Sequence, residues 1–126
     1  MGTDVGRRPG RRGICRLAAV ISRYEIHWVR LDPTEGRETQ KTRPCVVISP
    51  NAMHPAGTAV VCPLTTRLHP KWATRLQILC DGRPAEVMLD QIRAVSTARF
   101  GNRIDVLGEE DAAALRALLI TIYGTV

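Results

Sequence analysis

The side chains best suited to bind or stabilise charge lie in and beside two polar segments, residues 33–42 and 65–72. Arg43 follows the first segment at a loop–strand junction, and its planar guanidinium can donate two parallel hydrogen bonds to a phosphate or carboxylate. Pro44 restricts the preceding residue to extended geometry, which helps to aim the Arg43 side chain. The pattern favours an anion-binding arginine here, although a surface arginine in an ion pair would have the same local sequence.

Two other side chains of these segments suit proton transfer and charge stabilisation. Glu38 is a loop carboxylate that would act as a general base if a closed site raised its pKa. Thr65 ends an apolar run, where a short hydroxyl can be held rigidly against an anion. A solvated loop carboxylate and a turn-forming threonine are the alternative readings of these two residues.

Several other catalytic patterns are missing from the sequence. His27, His54 and His69 are not paired at a spacing typical of two-histidine acid–base catalysis, and His27 is expected at a surface or an interface. The four cysteines are 30, 17 and 18 residues apart, without a CxxC pair, which indicates reduced core thiols. There is no carboxylate cluster and no glycine-rich phosphate loop. We therefore expect no metal and no cofactor.

Short strands are predicted around the two polar segments. Alternation of apolar and polar residues, or short apolar runs bounded by turn residues, indicates each of them. Asp81-Gly82 predicts a turn, and a polar link is expected after the last strand. The predicted strands are residues 25–31, 44–49, 59–64 and 75–80, with one or two more in 86–95.

A helix is predicted near the end of the chain. Gly108 precedes three acidic residues, and negative charge in a first turn is favoured by the helix dipole. The spacing of Leu115, Leu118, Leu119 and Ile122 places them on one face, which we expect to pack on the core. Gly124 is a plausible stop signal.

Strands joined by hairpin-length links and followed by one helix indicate a mainly β fold, a compact barrel with a helix packed on it. No apolar run approaches the ~18–20 residues of a membrane span. The first 23 residues hold six arginines against one aspartate, whereas the rest holds 12 basic and 11 acidic groups. We predict a poorly ordered basic extension over residues 1–22, either phosphate-binding or merely solvated, and one folded domain over 23–126.

Four segments, in this order, resemble the MazF/PemK (Kid-like) toxin family of type II toxin–antitoxin systems. Together they extend over about residues 23–124, and agreement of all four by chance is improbable. Tyr24 departs from the family pattern, which usually has a glycine after the first arginine. The segments are RYEIHWVRLDPTEGRE (23–38), KTRPCVVIS (41–49), VVCPLTT (60–66) and LDQIRAV (89–95).

The resemblance implies an SH3-like barrel that forms a homodimer and cleaves single-stranded RNA in the cytoplasm at specific sequences. It also implies an antitoxin whose acidic or amphipathic tail lies across the RNA groove. The family pattern assigns Arg43 the central acid–base and phosphate role. Because arginine keeps its proton, we expect Arg43 to stabilise charge or donate a proton. Thr65 would be a phosphate donor, and Glu38 remains a candidate base.

The same resemblance implies a set of RNA-binding residues. Asp90 and Gln91 match a pair near the RNA groove of the family, although a structural role for Gln91 is equally compatible with the sequence. Arg37 occupies a loop position that carries a basic RNA contact in some relatives, and Thr66 would assist Thr65. Lys71 is expected along the substrate path together with Trp72, which would either stack on a base or pack in a core or interface.

Cleavage of this kind begins when the RNA 2′-hydroxyl attacks the neighbouring phosphate, and it leaves 2′,3′-cyclic phosphate and 5′-hydroxyl ends. The sequence leaves two other functions open. A gyrase-inhibiting toxin of the CcdB type would need target-binding residues at the end of the chain, where ITIYGTV offers no support. A catalytically inactive barrel that binds RNA or protein is the second alternative.

Overall fold

The structure, a computed structural model, describes residues 21–31 and 41–124. These residues form seven antiparallel strands and one α-helix, with three short 3-10 turns at Asn51–Ala56, Leu89–Gln91 and Thr97–Arg99. The elements are β1 (Glu25–Leu31), β2 (Lys41–Val47), β3 (Thr58–Thr65), β4 (Arg75–Cys80), β5 (Arg83–Met88), β6 (Arg93–Ser96), β7 (Phe100–Val106) and α1 (Glu109–Tyr123).

The strands pair in the order β4-β5-β3-β2-β1-β7, and β6 pairs with the first half of β3. No pairing joins β4 to β7 within the described chain, so this sheet is open at that edge. At this edge the Asp81 amide donates a hydrogen bond to Asp105 Oδ2 at 2.7 Å. This single backbone-to-side-chain bond stands where a closed barrel would have paired strands. The mainly β fold with a C-terminal helix is confirmed, and the expected barrel is an unclosed sheet.

Alternation along the central strands divides the interior into two cores. On β2, for example, Val46 belongs to the first core while its neighbours Cys45 and Val47 belong to the second. Side chains two residues apart share a face of a sheet, which explains this division. The first core also contains Ile26, Cys62, Leu64, Ile78, Ala85, Val87, Leu89, Leu107, Ala112 and Leu115, and the second contains Ile21, Val29, Leu31, Ala59, Val61, Val95 and Phe100.

Helix α1 covers the first core, as its apolar spacing predicts. Leu115 is fully buried, and Leu118, Leu119 and Ile122 are partly buried against the same cluster. Full burial of a leucine contributes roughly 1.5–3 kcal/mol, so this face holds the helix on the sheet. Gly108 is the N-cap residue, and the helix ends before Gly124. None of the helices in the described ranges is long and apolar enough to cross a membrane.

Three local expectations were wrong. The expected polar link contains β7, whose alternation is interrupted because the segment 101–103 separates Phe100 from Ile104. β2 begins at Lys41, so Arg43 is the third residue of a strand, opposite Val29 of β1, and not a junction residue. His27 is only 3% exposed, because it shares the face of Val29 and Leu31 that packs in the second core.

An extension was predicted over residues 1–22. Its residues 1–20 lie outside the described residues. The described chain starts at Ile21, which is 2% exposed and packs in the second core. The Ile21 carbonyl also accepts a hydrogen bond from buried His54 Nδ1 at 2.8 Å. The packed domain therefore includes residues 21 and 22.

Candidate functional site

A groove of about 460 Å³ opens on the sheet where β1, β2, β3 and β7 meet the turn between β4 and β5. Its walls combine basic, hydroxyl and apolar side chains, which suits an anionic ligand that also carries flat apolar groups. The lining residues are Trp28, Thr42, Arg43, Pro44, Leu64, Thr65, Thr66, Cys80, Asp81, Arg83, Pro84, Ala85 and Ile104.

Arg43 enters this groove from β2. Its side chain is half-buried and makes no ion pair with any residue that the structure describes. Pairing with Val29 of β1 fixes the backbone from which the side chain extends. An unpaired guanidinium on a rigid strand is well placed to bind an anion in two parallel hydrogen bonds.

Thr65 and Thr66 enter from the end of β3. Thr65 is paired with Glu86 of β5, and its Oγ1 accepts a hydrogen bond from the Arg67 amide at 3.1 Å. Because that bond uses an oxygen lone pair, the hydroxyl proton stays available for a ligand. Thr66 follows at the exposed rim. Arg43 and both threonines, singled out from the sequence, therefore line one groove.

The groove also contains Asp81, which was predicted only as part of a turn, and Arg83, which was not predicted to be a site residue. Asp81 and Gly82 have φ of 55° and 79°, and Cys80 pairs with Arg83, so the two residues form a tight hairpin turn. The hairpin adds a carboxylate and a second guanidinium to the site. The sequence does contain a partial signal, because an arginine next to an Asp-Gly turn lies at the end of a strand. Nothing in the neighbouring residues indicates which groove that arginine faces.

Three other predicted RNA contacts that the structure describes, Asp90, Gln91 and Lys71, do not line this groove. Asp90 accepts hydrogen bonds from Arg75 Nε at 2.8 Å and Thr74 Oγ1 at 3.1 Å. These bonds, led by that of Arg75, lower the pKa of Asp90 to about 2. Gln91 donates to Asp90 Oδ2 at 3.4 Å, and Lys71 is exposed on the β3–β4 loop. Arg37 and Glu38 lie outside the described residues.

Arg75 connects Asp90 to a buried carboxylate. Arg75 Nη1 donates to Glu86 Oε2 at 2.6 Å, and Gln77 Nε2 donates to Glu86 Oε1 at 2.7 Å. The backbone amide of His69 also donates to Glu86. Burial alone would raise the pKa of Glu86, but these hydrogen bonds together lower it to about 2. The network fastens the β3–β4 loop to the sheet behind Thr65.

The remaining histidines and cysteines have structural surroundings. His54 is fully buried between Ser49 Oγ and the Ile21 carbonyl, each at 2.8 Å. His27 lies between Glu25 Oε1 at 2.9 Å and the Gly101 carbonyl at 3.1 Å. Burial raises the pKa of the Cys45 and Cys62 thiols to about 12, so both stay protonated. The described ranges contain no group of three or more His, Cys, Asp or Glu residues that would hold a metal ion.

Comparison with protein families gives one match over most of the chain. The family described as PemK-like, MazF-like toxin of type II toxin–antitoxin system matches residues 22–123. No curated protein matches the sequence at a significant level.

Solved structures with the same fold include several toxins. The Mycobacterium tuberculosis toxin MazF-mt6 is 21% identical with a TM-score of 0.67, covering 81% of this chain and 98% of its own. A MazE–MazF complex from Deinococcus radiodurans is 22% identical with a TM-score of 0.71, and the match covers 85% of this chain and 99% of the matched chain. An endoribonuclease in complex with its cognate antitoxin from mycobacterial species is 18% identical with a TM-score of 0.66, and the match covers 84% of this chain and 95% of the matched chain.

Proposed function

Because the chain belongs to the family of PemK-like, MazF-like toxins of type II toxin–antitoxin systems, we propose that it is a metal-independent, sequence-specific endoribonuclease. Its substrate is single-stranded RNA in the cytoplasm, and it acts as a homodimer. The observation that carries this proposal is that Arg43 of β2, Thr65 at the end of β3 and Thr66 just after it line one groove together with Arg83. The solved relatives described as endoribonucleases support the same reading.

In the proposed reaction, the 2′-hydroxyl oxygen attacks the adjacent phosphorus and loses its proton to a base, while the bond to the 5′ oxygen breaks and that oxygen takes up a proton. The five-coordinate phosphorus carries extra negative charge, which a fixed guanidinium stabilises more strongly than water does. Arg43 binds the non-bridging oxygens and is the candidate donor for the 5′ oxygen. The Thr65 hydroxyl donates a further hydrogen bond to the phosphate.

In this scheme a carboxylate acts as the base, and two residues are candidates for it. Glu38 is the candidate from its residue type and place in the sequence, and Asp81 lies in the groove itself. A carboxylate accepts the 2′ proton readily if the closed complex excludes water and raises its pKa. Activity and pH profiles of Glu38→Gln and Asp81→Asn variants separate the two assignments.

The proposed partner is an antitoxin with an acidic or amphipathic tail that covers the groove. The complexes of relatives with MazE and with a cognate antitoxin support such a partner. A groove with Arg43 and Arg83 on its walls attracts acidic side chains for the same electrostatic reason that it attracts phosphate.

Incubation of the purified protein with a single-stranded transcript in EDTA tests the function. We expect cleavage at discrete positions, with 2′,3′-cyclic phosphate and 5′-hydroxyl ends. Arg43→Ala should lower kcat about 100- to 1000-fold, the usual cost of removing one charge-stabilising donor. Full activity in Arg43→Ala, or complete loss on chelation, would contradict the proposal.

A further inference from the structure

The loop between β3 and β4, residues 66–74, presents an exposed aromatic ring whose orientation is fixed. Trp72 is 51% exposed. The His69 imidazole stacks on the indole with 3.9 Å between ring centroids and 22° between planes. The guanidinium carbon of Arg75 lies 4.5 Å from the indole centroid. A large apolar ring held this firmly in contact with solvent is typical of a binding surface.

His69 and Arg75 lie on the same face of the indole. Arg75 Nη1 is 3.3 Å from His69 Nδ1. The imidazole centroid lies 3.9 Å from the indole centroid, and the guanidinium carbon lies 4.5 Å from it. If the two groups lay on opposite faces, the indole would stand between them, and they would be too far apart for this contact. The second face of Trp72 has no ring or cation partner among the described residues, and half of the side chain stays exposed.

A buried anchor holds this arrangement in place. Glu86 is fully buried and binds both Arg75, at 2.6 Å, and the His69 side chain, at 3.2 Å. Asp90 fixes the other edge of the Arg75 guanidinium at 2.8 Å. Because both supports of the indole are tied to the sheet, little side-chain entropy remains to be lost when a ligand stacks on its free face.

The surroundings of Trp72 favour a polyanion. Arg67 and Lys71 are exposed on the same loop, and residues 66–74 contain no acidic residue. The loop begins directly after Thr65, which lines the groove with Arg43. Since the groove residues Thr65 and Thr66 lead directly into this loop, a strand with one phosphate in the groove can extend along it, where basic side chains attract its backbone.

Resting on the endoribonuclease function, we propose that the free face of Trp72 stacks on an unpaired base of the RNA beside the cleaved phosphate. Stacking on an aromatic side chain tolerates every base, because each base has a flat π-face. Trp72 thus supplies affinity and fixes the path of the strand, and it takes no part in proton transfer. This role also explains why Asp90 and Glu86 hold Arg75 so tightly under the ring.

The first test compares variants of the loop with a cleavable oligonucleotide. Trp72→Ala should raise KM about 10-fold, the usual effect of losing one stacked base, and leave kcat unchanged. Trp72→Phe, which keeps a stacking face, should restore most of the affinity. Leu68→Ala removes another exposed apolar side chain of the same loop and serves as the matched control. Thermal melts of all variants report whether the fold is intact.

The second test moves a single abasic nucleotide along a substrate analogue that cannot be cleaved, because its attacking 2′-hydroxyl is replaced by hydrogen. Wild-type protein should lose affinity at one position near the scissile phosphate, and Trp72→Ala should be insensitive to the abasic site at that same position. Equal sensitivity of both proteins at every position would overturn the stacking proposal.

The outcomes separate this inference from the function on which it rests. If the protein binds the analogue through Trp72 but never cleaves RNA, the stacking surface stands and the endoribonuclease function fails. If RNA is cleaved with the same KM by wild-type and Trp72→Ala, the function stands and the stacking proposal fails. If Trp72→Ala leaves RNA binding intact but weakens binding of the antitoxin, the surface contacts protein and the proposal is wrong.

Discussion

Arg43 and Arg83 are the two arginines of the groove, and neither has an ion-pair partner among the described residues. Arg75, in contrast, is bound to both Glu86 and Asp90. An arginine already held by two carboxylates has little capacity left for a phosphate, whereas an unpaired one keeps all its donors. From this difference we expect Arg43 and Arg83 to bind the substrate and Arg75 to maintain the structure.

This difference yields a prediction for Arg83. Arg83→Ala should weaken RNA binding and reduce the slope of log KM against log salt concentration by about 0.7, the value for one phosphate contact on a single strand. The measurement is KM at several salt concentrations.

Arg116→Ala is the matched control for Arg83. It removes the same charge from α1, where the guanidinium contacts the Tyr24 hydroxyl at 3.2 Å outside the groove. An equal loss of slope in both variants would show that only net charge matters and would remove Arg83 from the site.

At the scale of elements, regular patterns were read correctly from the sequence and irregular ones were not. β1 and α1 follow their apolar periods, and the Asp81-Gly82 turn follows from its residue types. β7 was missed because residues 101–103 interrupt its alternation, and its pairing with β1, which shifts register, is invisible in the sequence. Long-range packing, which no local pattern contains, decides such elements.

The residues of the candidate site were likewise predicted only in part. Arg43, Thr65 and Thr66 were identified through the family resemblance and do line one groove, although their chemical roles stay predictions. Arg83 was missed, because its place in the groove depends on β5 pairing with the end of β3. The partner of Asp90 was equally hidden from the sequence, since Arg75 stands 15 residues away on β4.

The hairpin turn that carries Arg83 gives an element-scale prediction. Gly82 has φ of 79°, and no atom lies within 4 Å of the position that an added methyl group would occupy. Gly82→Ala therefore meets no clash and strains only the backbone. We expect it to lower the free energy of unfolding by about 1–2 kcal/mol, measured by thermal or urea unfolding.

Gly108→Ala is the control for that measurement. Its added methyl also meets nothing within 4 Å, but its φ of −71° is ordinary for any residue. Because glycine is a better N-cap than alanine, this variant should lose about 0.5 kcal/mol, less than Gly82→Ala loses. Equal destabilisation of both variants would show that the left-handed turn is not the cause.

At the scale of the whole molecule, the fold turns distant sequence positions into one binding surface. Strand order places β2 beside β3, and β3 beside β5, so that Arg43, Thr65 and Arg83 come together from three separate segments. The two cores and α1 hold these strands in fixed positions, which gives the groove walls their rigidity. We propose that Arg43 and Thr65 act together on a single phosphate.

A double-mutant cycle on single-turnover cleavage tests that claim most directly. Arg43→Ala and Thr65→Val should each slow cleavage about 100-fold or more, as expected for the loss of one donor to the transition state. Groups that act as a unit are strongly non-additive, so the double variant should be about as slow as the slower single variant. Losses that multiply fully in the double variant would mean that the two side chains act independently, and the shared phosphate site would be wrong.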